Sequence, residues 1–172
     1  MTEASALAED WLRLTKAVGD KLGQAYLIAL AAELVAQLRL DYVIIATREP
    51  QTPDVATTVV VQSTTGPRDN FEYRLAGTPC ERSLRDGAYS VQDGAARAFP
   101  DVAFLVELGI QGYVGVRLSI GEETTQGVLC GATKTPMSSL NRALPLFEHV
   151  ASRCAGELIR MRRERSMPTL QG

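Results

Sequence analysis

The apolar residues of this chain change their spacing twice, from a helical period to a strand period and back. That order limits the fold more than any single motif does. Leu7, Trp11, Leu14 and Val18 recur at alternating steps of four and three, which is one stripe of a first helix. Over residues 21–40, Leu27, Leu30, Ala31, Leu34, Val35 and Leu38 form a broad apolar face with Glu33, Gln37 and Arg39 opposite, predicting a second helix. Tyr42-Val43-Ile44-Ile45-Ala46-Thr47 then turns to β-branched and aromatic residues, which suit a pleated strand. Pro50 and Pro53 mark a turn, and 55–62 reads as the hairpin partner. At the far end Phe147, Ala151, Cys154, Leu158 and Met161, with Val150 beside them, follow steps of four, three, four and three. This spacing predicts a helix over 142–165 that meets another helix.

The middle of the chain adds sharper local signals. After a turn at Thr65-Gly66-Pro67-Arg68-Asp69-Asn70, the residues Phe71, Tyr73 and Leu75 alternate with Glu72 and Arg74, the pattern of a half-buried antiparallel strand. Thr78-Pro79-Cys80-Glu81 follows. Thr78 can cap free backbone N–H groups, Pro79 suits the first helical position and Glu81 can complete a capping box, so a short helix starts here and ends near Gly87. A strand over 89–92 and a helix over 100–108 are expected next. Strands over 113–120 and 127–133 follow, joined by a polar turn at Gly121-Glu122-Glu123-Thr124-Thr125. No internal repeat is visible, and the tail from Ser166 reads as flexible.

Composition excludes several classes. The 172 residues carry 18 Lys and Arg against 20 Asp and Glu, a formal charge of -2, so no overall field favours nucleic acid or an acidic membrane. The start lacks a basic segment ahead of an apolar one, and the most apolar run is interrupted by Glu33, so neither secretion nor a membrane span is expected. Cys80, Cys130 and Cys154 are odd in number and widely spaced in apolar sequence, as reduced core cysteines are, which implies a cytoplasmic protein.

Three stretches together resemble the GAF family of sensory domains: Phe71-Glu72-Tyr73-Arg74-Leu75-Ala76-Gly77-Thr78-Pro79-Cys80-Glu81, Ala98-Phe99-Pro100-Asp101 with the run from Gly109 to Leu118, and Gln126-Gly127-Val128-Leu129-Cys130-Gly131 followed by Pro136 and the last helix. The resemblance covers about residues 21–165, leaving 1–20 as an N-terminal helix that could serve as a dimer or linker element and 166–172 as a tail. It implies an α+β fold: a central antiparallel β-sheet of about six strands, long N- and C-terminal helices on one face, and short helices and loops over a pocket on the other. The positions matching the pocket lining are Tyr73, Cys80, Leu84, Tyr89, Phe99, Leu105, Tyr113 and Val116. It further implies a bacterial-type regulatory module for signal transduction, in which a small-molecule ligand is sensed by a homodimer joined through terminal helices and relayed to an output domain or partner protein.

Each candidate chemistry has a plainer competing account. Cys80 at a helix start could be acidified into a nucleophile, yet a buried structural thiol is the expectation, since free cysteine is among the most buried residue types. The family's bilin carriers attach their pigment through a Cys commonly followed by His, and no cysteine here has that neighbour. Its cyclic-nucleotide binders carry an Asn-Lys-Phe-Asp-Glu signature that is missing; bilin, haem and cyclic nucleotide are therefore unsupported, and no cofactor is expected. Free methionine sulfoxide reductases of the same fold gather several cysteines at one pocket, whereas Cys130 in a strand and Cys154 on a helix seam argue against a shared site. His149, the only histidine, lacks a Gly-x-Ser-x-Gly partner motif, and no Cys-x-x-Cys suggests a metal. Gly109, Gly112 and Gly115 do not fit a dinucleotide fingerprint and read as tight turning; Arg160, Arg162, Arg163 and Arg165 read as a solvated helix end. The expectation is a ligand-binding regulator rather than an enzyme, with a ligand-free dimerisation module as the alternative.

Overall fold

In the computed structural model, which describes residues 2–119 and 126–167, the sheet sorts its side chains into two separate cores. Its strands are β1 (Tyr42–Arg48), β2 (Val55–Ser63), β3 (Gly66–Pro67), β4 (Glu72–Arg74), β5 (Ala88–Val91), β6 (Gly112–Ser119) and β7 (Gln126–Thr133). They run in the order β3-β2-β1-β7-β6-β5, with β4 also pairing with β2, and every pairing is antiparallel. Successive side chains on a strand point to opposite faces. Val43 and Ile45 of β1, Val114, Val116 and Leu118 of β6 and Leu129 of β7 therefore join one core, while Ile44, Ala46, Tyr113, Val128, Cys130 and Ala132 join the other. A bulge in β2 sends Val59 and Val60 to the same face, where both meet the first core.

That first core is covered by three helices, α1 (Glu3–Val18), α2 (Gly23–Leu38) and α6 (Leu140–Ser166). The predicted face of α2 is buried at all six positions. On α1, Leu14 and Val18 are buried, but Trp11 stays 36% exposed, its ring set edge-on to His149 with centroids 4.3 Å apart. The buried carboxylate of Asp10 holds α1 to α6 by a two-pronged pairing with Arg142 at 2.8 and 3.1 Å. The seam of α6 is taken up within the chain: Phe147, Val150, Cys154 and Leu158 pack against α2 and β6.

The second core lies under α3 (Pro79–Asp86), α4 (Ala95–Ala98) and α5 (Ala103–Leu108). Here the sequence expectation of one helix over 100–108 needs correction. Pro100 and Asp101 form the link between two shorter helices, and α4 begins after Gly94 in a left-handed conformation, where Ala95 and Ala96 donate their N–H groups to the Gln111 and Ile110 carbonyls. The turn over 65–70 likewise contains the two-residue strand β3, so the sheet has seven strands among the described residues. The predicted turn over 121–125 and the tail beyond Met167 lie outside the described residues.

One contact ties the helix layer together. Helix α2 begins after Leu22, which offers no side-chain cap. Its first N–H, that of Gly23, instead donates to Glu157 Oε2 of α6 at 2.6 Å. Glu157 is buried and also paired with Arg153 and Arg160, and the Arg153 guanidinium sits 4.4 Å above the Tyr26 ring. A carboxylate accepting a helix-terminal N–H is a charge-assisted bond, stronger than a neutral one. Replacing Glu157 with Ala is expected to lower stability by about 2 kcal/mol, read in urea unfolding as a lower midpoint at unchanged slope. A loss under about 0.5 kcal/mol, the range of ordinary surface substitutions, would mean that the cap carries little.

Candidate functional site

The start of α3 fixes the geometry of the second face. Thr78 Oγ1 accepts the Glu81 N–H at 3.2 Å and donates to the Leu75 carbonyl at 2.7 Å. The Thr78 N–H is already bonded to Leu75, so the Glu81 carboxylate reaches one residue further back, to the Gly77 N–H at 3.4 Å. The cap, with Pro79 at the first helical position, presents Cys80 on the first turn toward the sheet.

Between α3, α5 and the sheet lies a cavity of about 350 Å³. Cys80, Tyr113 and Cys130 are part of its wall, joined by Ile44 and Ala132 from the sheet and Leu105 from α5. A run of rings closes another side: Tyr42 meets Phe104 at 6.1 Å, Phe104 meets Phe71 at 5.8 Å, and Phe71 meets Tyr73 at 5.8 Å between centroids. Arg74, Thr78 and Asp101 add two charged groups and a hydroxyl. Mostly apolar walls with a few polar groups are typical of a small-molecule pocket.

The polar groups within this apolar wall interact with one another. Tyr113 Oη donates to Cys80 Sγ at 3.3 Å and lies 3.1 Å from Ser83 Oγ, which also bonds the Pro79 carbonyl at 3.2 Å. The Cys130 thiol beside it, then the Tyr113 and Tyr73 hydroxyls, bring Cys80 down to a pKa of about 7 against the opposing effect of burial. Cys130 is pushed well up, first by Cys80 and then by burial. Burial, then the two thiols, also raise Tyr73 and Tyr113 well above the ordinary phenol range. The Tyr73 oxygen is buried and makes no well-formed hydrogen bond among the described residues. Cys154 stands apart in the helix-layer core, where burial and then the Glu157 charge push its pKa to about 12.

Four of the eight predicted pocket positions, Tyr73, Cys80, Leu105 and Tyr113, line this cavity. Leu84, Tyr89 and Phe99 belong to the same core but stand behind it: Tyr89 packs edge-on to Phe99 at 6.0 Å, and Arg82 lies over both rings. Val116 is a correction. It points to the helix layer, because it sits three residues from Tyr113 on one strand and so faces the opposite way. The glycines need revision too. Gly109 does turn the chain at the end of α5 with φ +64°, but Gly112 and Gly115 lie inside β6. A side chain at Gly115 would collide with the Tyr113 hydroxyl and Ser83 Oγ, so its role is to let the tyrosine reach Cys80. The expectation that spacing keeps the thiols apart is met by Cys154 and fails for Cys130. Among the described residues no three His, Cys, Asp or Glu side chains are grouped to hold a metal, and no helix is long and apolar enough to cross a membrane.

No protein-family model and no curated protein matches this sequence. Solved structures do match along nearly its whole length. A free methionine-R-sulfoxide reductase from Neisseria meningitidis, solved with its substrate, is 17% identical with a TM-score of 0.72, covering 96% of this chain and 95% of that one. The GAF domain of a phosphoenolpyruvate-protein phosphotransferase from Coxiella burnetii is 13% identical at a TM-score of 0.72, covering 96% and 100%. A phycocyanobilin-bound GAF domain from a cyanobacterial phytochrome is 14% identical at 0.65, covering 97% and 99%. With its antiparallel order, its three-helix layer and its capped α3 over a cavity, this chain has the GAF-domain fold.

Proposed function

We propose that this chain is a sensory domain that takes a small, largely apolar organic ligand into the cavity beside Cys80 and Tyr113 and relays its presence through the helix layer of a homodimer. The carrying observation is the cavity itself, ringed by aromatic side chains, with the buried Tyr73 hydroxyl in its wall making no well-formed hydrogen bond among the described residues. An unsatisfied buried hydroxyl costs about 1–3 kcal/mol, and a ligand acceptor or donor would recover part of it. A purely filled dimerisation module would have no reason for that arrangement. The relay has a short path: Gly131 of β7 lies between Cys130 and Ala132 of the cavity wall, and a side chain added to it would press on Leu40 and Phe147 in the helix layer. The three unpaired, buried cysteines suit a reducing cytoplasm, and an output domain or partner protein would receive the signal from α6.

Native mass spectrometry of the chain purified from its own host is expected to retain a small organic mass, lost in Ala132→Phe, which fills the cavity. Tyr73→Phe is expected to weaken that ligand by about 5- to 20-fold, the worth of one hydrogen bond. A chain that carries no such mass, with Ala132→Phe more stable than the wild type, would favour the filled module.

Because the α6 seam is buried inside the chain, self-association has to use other apolar positions. Leu12 of α1, Leu22 in the link before α2 and Ile28 of α2 are the exposed candidates. Light scattering is expected to give twice the 18.6 kDa chain mass, and Leu12→Glu to return it to one. A monomeric wild type would remove the dimer from this reading.

One observation favours a second reading: Cys80 and Cys130 share the cavity wall in a fold also used by a methionine-R-sulfoxide reductase. With dithiothreitol as reductant, the regulatory reading predicts no consumption of free methionine-R-sulfoxide. Turnover that disappears in Cys80→Ser would replace it with a reductase.

A further inference from the structure

We infer that Cys80 and Cys130 form a redox couple that reacts with small organic hydroperoxides, Cys80 attacking and Cys130 resolving. This goes beyond the ligand-binding reading and does not depend on it. The two sulfurs come from different elements, α3 and β7, which pack together, and both belong to the wall of one cavity. An oxidant small enough to enter therefore meets both. The third cysteine, Cys154, lies in the other core on the far side of the sheet, fully buried on the inner face of α6.

The roles follow from the neighbours. Cys80 accepts the Tyr113 hydroxyl at 3.3 Å, a bond that favours its thiolate, and Gly115 keeps the space that lets Tyr113 reach it. The acidity of Cys80, near 7, and the raised value of Cys130 assign the same order of attack. The apolar, ring-lined walls suit a hydroperoxide with a hydrocarbon substituent better than hydrogen peroxide itself.

In the first step the Cys80 thiolate attacks the terminal peroxide oxygen. An S–O bond forms, the O–O bond breaks, and the departing alkoxide takes the proton the thiol gave up and leaves as an alcohol. Cys80 is then a sulfenic acid. In the second step the Cys130 sulfur attacks Cys80; an S–S bond forms, the S–O bond breaks, and hydroxide leaves with the Cys130 proton as water. Two thiols have given two electrons to one hydroperoxide. The resulting disulfide would cross-link α3 to β7 at the cavity, and a small dithiol would reverse it.

The test uses the full chain, reduced, desalted and exposed to a modest excess of cumene hydroperoxide. The thiol count under denaturing conditions is expected to fall from the three cysteines of the sequence to one, with a non-reducing peptide map joining the Cys80 and Cys130 peptides and dithiothreitol restoring all three. In Cys130→Ser, dimedone is expected to trap a sulfenic acid on Cys80. Three thiols surviving in the wild type, a disulfide that uses Cys154, or one that joins two chains would each overturn the inference, and these wild-type readouts need no variant to fold.

Discussion

The antiparallel sheet is buried on both faces, and every other feature of the structure follows from how its strands alternate. Each residue of β1, β6 and β7 must go either to the helix core or to the cavity core, because neighbouring side chains on a strand point in opposite directions. In β7 this places Leu129 against the helices and Val128, Cys130 and Ala132 on the other side. A one-residue slip would exchange the two sets. The register is held from both ends: Ile44 pairs with Cys130 across β1 and β7, and Cys130 in turn lies opposite Gly115 of β6. The cavity wall is thus a row of adjacent strand positions, and the thiol at its centre is placed by pairing on both sides.

The two faces differ in what fills them. The helix face is packed with branched aliphatic side chains and closed by Asp10–Arg142 and by the Glu157 cap on α2. The other face carries rings, thiols and hydroxyls, and its short helices span only four to eight residues. Ring packing against a thin cover leaves space where aliphatic interdigitation does not. Low dielectric then acts on the groups around that space. Burial and the thiols hold Tyr73 and Tyr113 in their neutral, hydrogen-bond-donating form, and among these two tyrosines and the two cavity thiols Cys80 is the group whose ionised form its neighbours favour.

Much of this was legible in the residues, and the misses have physical causes. The helices α1, α2 and α6 are long enough for their period to show, and Thr78-Pro79-Cys80-Glu81 announces α3 through the bonding capacity of its own side chains. Helix α4 is four residues long, too short for any period, and is capped by backbone groups that leave no mark in the sequence. The error at Val116 arose because the position was carried over from the resemblance; Tyr113, Gly115 and Arg117 share one face of β6, and the rule that positions three apart cannot share a face separates Val116 from Tyr113. The meeting of Cys80 with Cys130 and the use of Tyr42 and Phe104 depend on strand order and on where α5 lands, which no local pattern encodes.

In the proposed sensory reading, the same alternation would supply the route from the cavity to the helix layer. At Gly131 the sheet is one backbone thick between the two cores: an added Cβ would stand 2.8 Å from Leu40 Cδ1 and 3.0 Å from Phe147 Cζ, so the side chains of the helix layer rest directly on the strand. Packed interiors have little free volume to absorb a displacement. In that sensory reading, a shift of β7 forced by an occupant of the cavity would be felt at Phe147, and from there along α6, whose buried carboxylate at Glu157 holds the start of α2. The size of any response is bounded by how differently the occupant binds the two arrangements of that layer, not by how tightly it binds overall. Polar contacts that change between arrangements contribute more to such a difference than apolar walls that are the same in both, so under the proposed relay the Tyr73, Cys80 and Tyr113 group would be the part of the cavity with the most influence on α6.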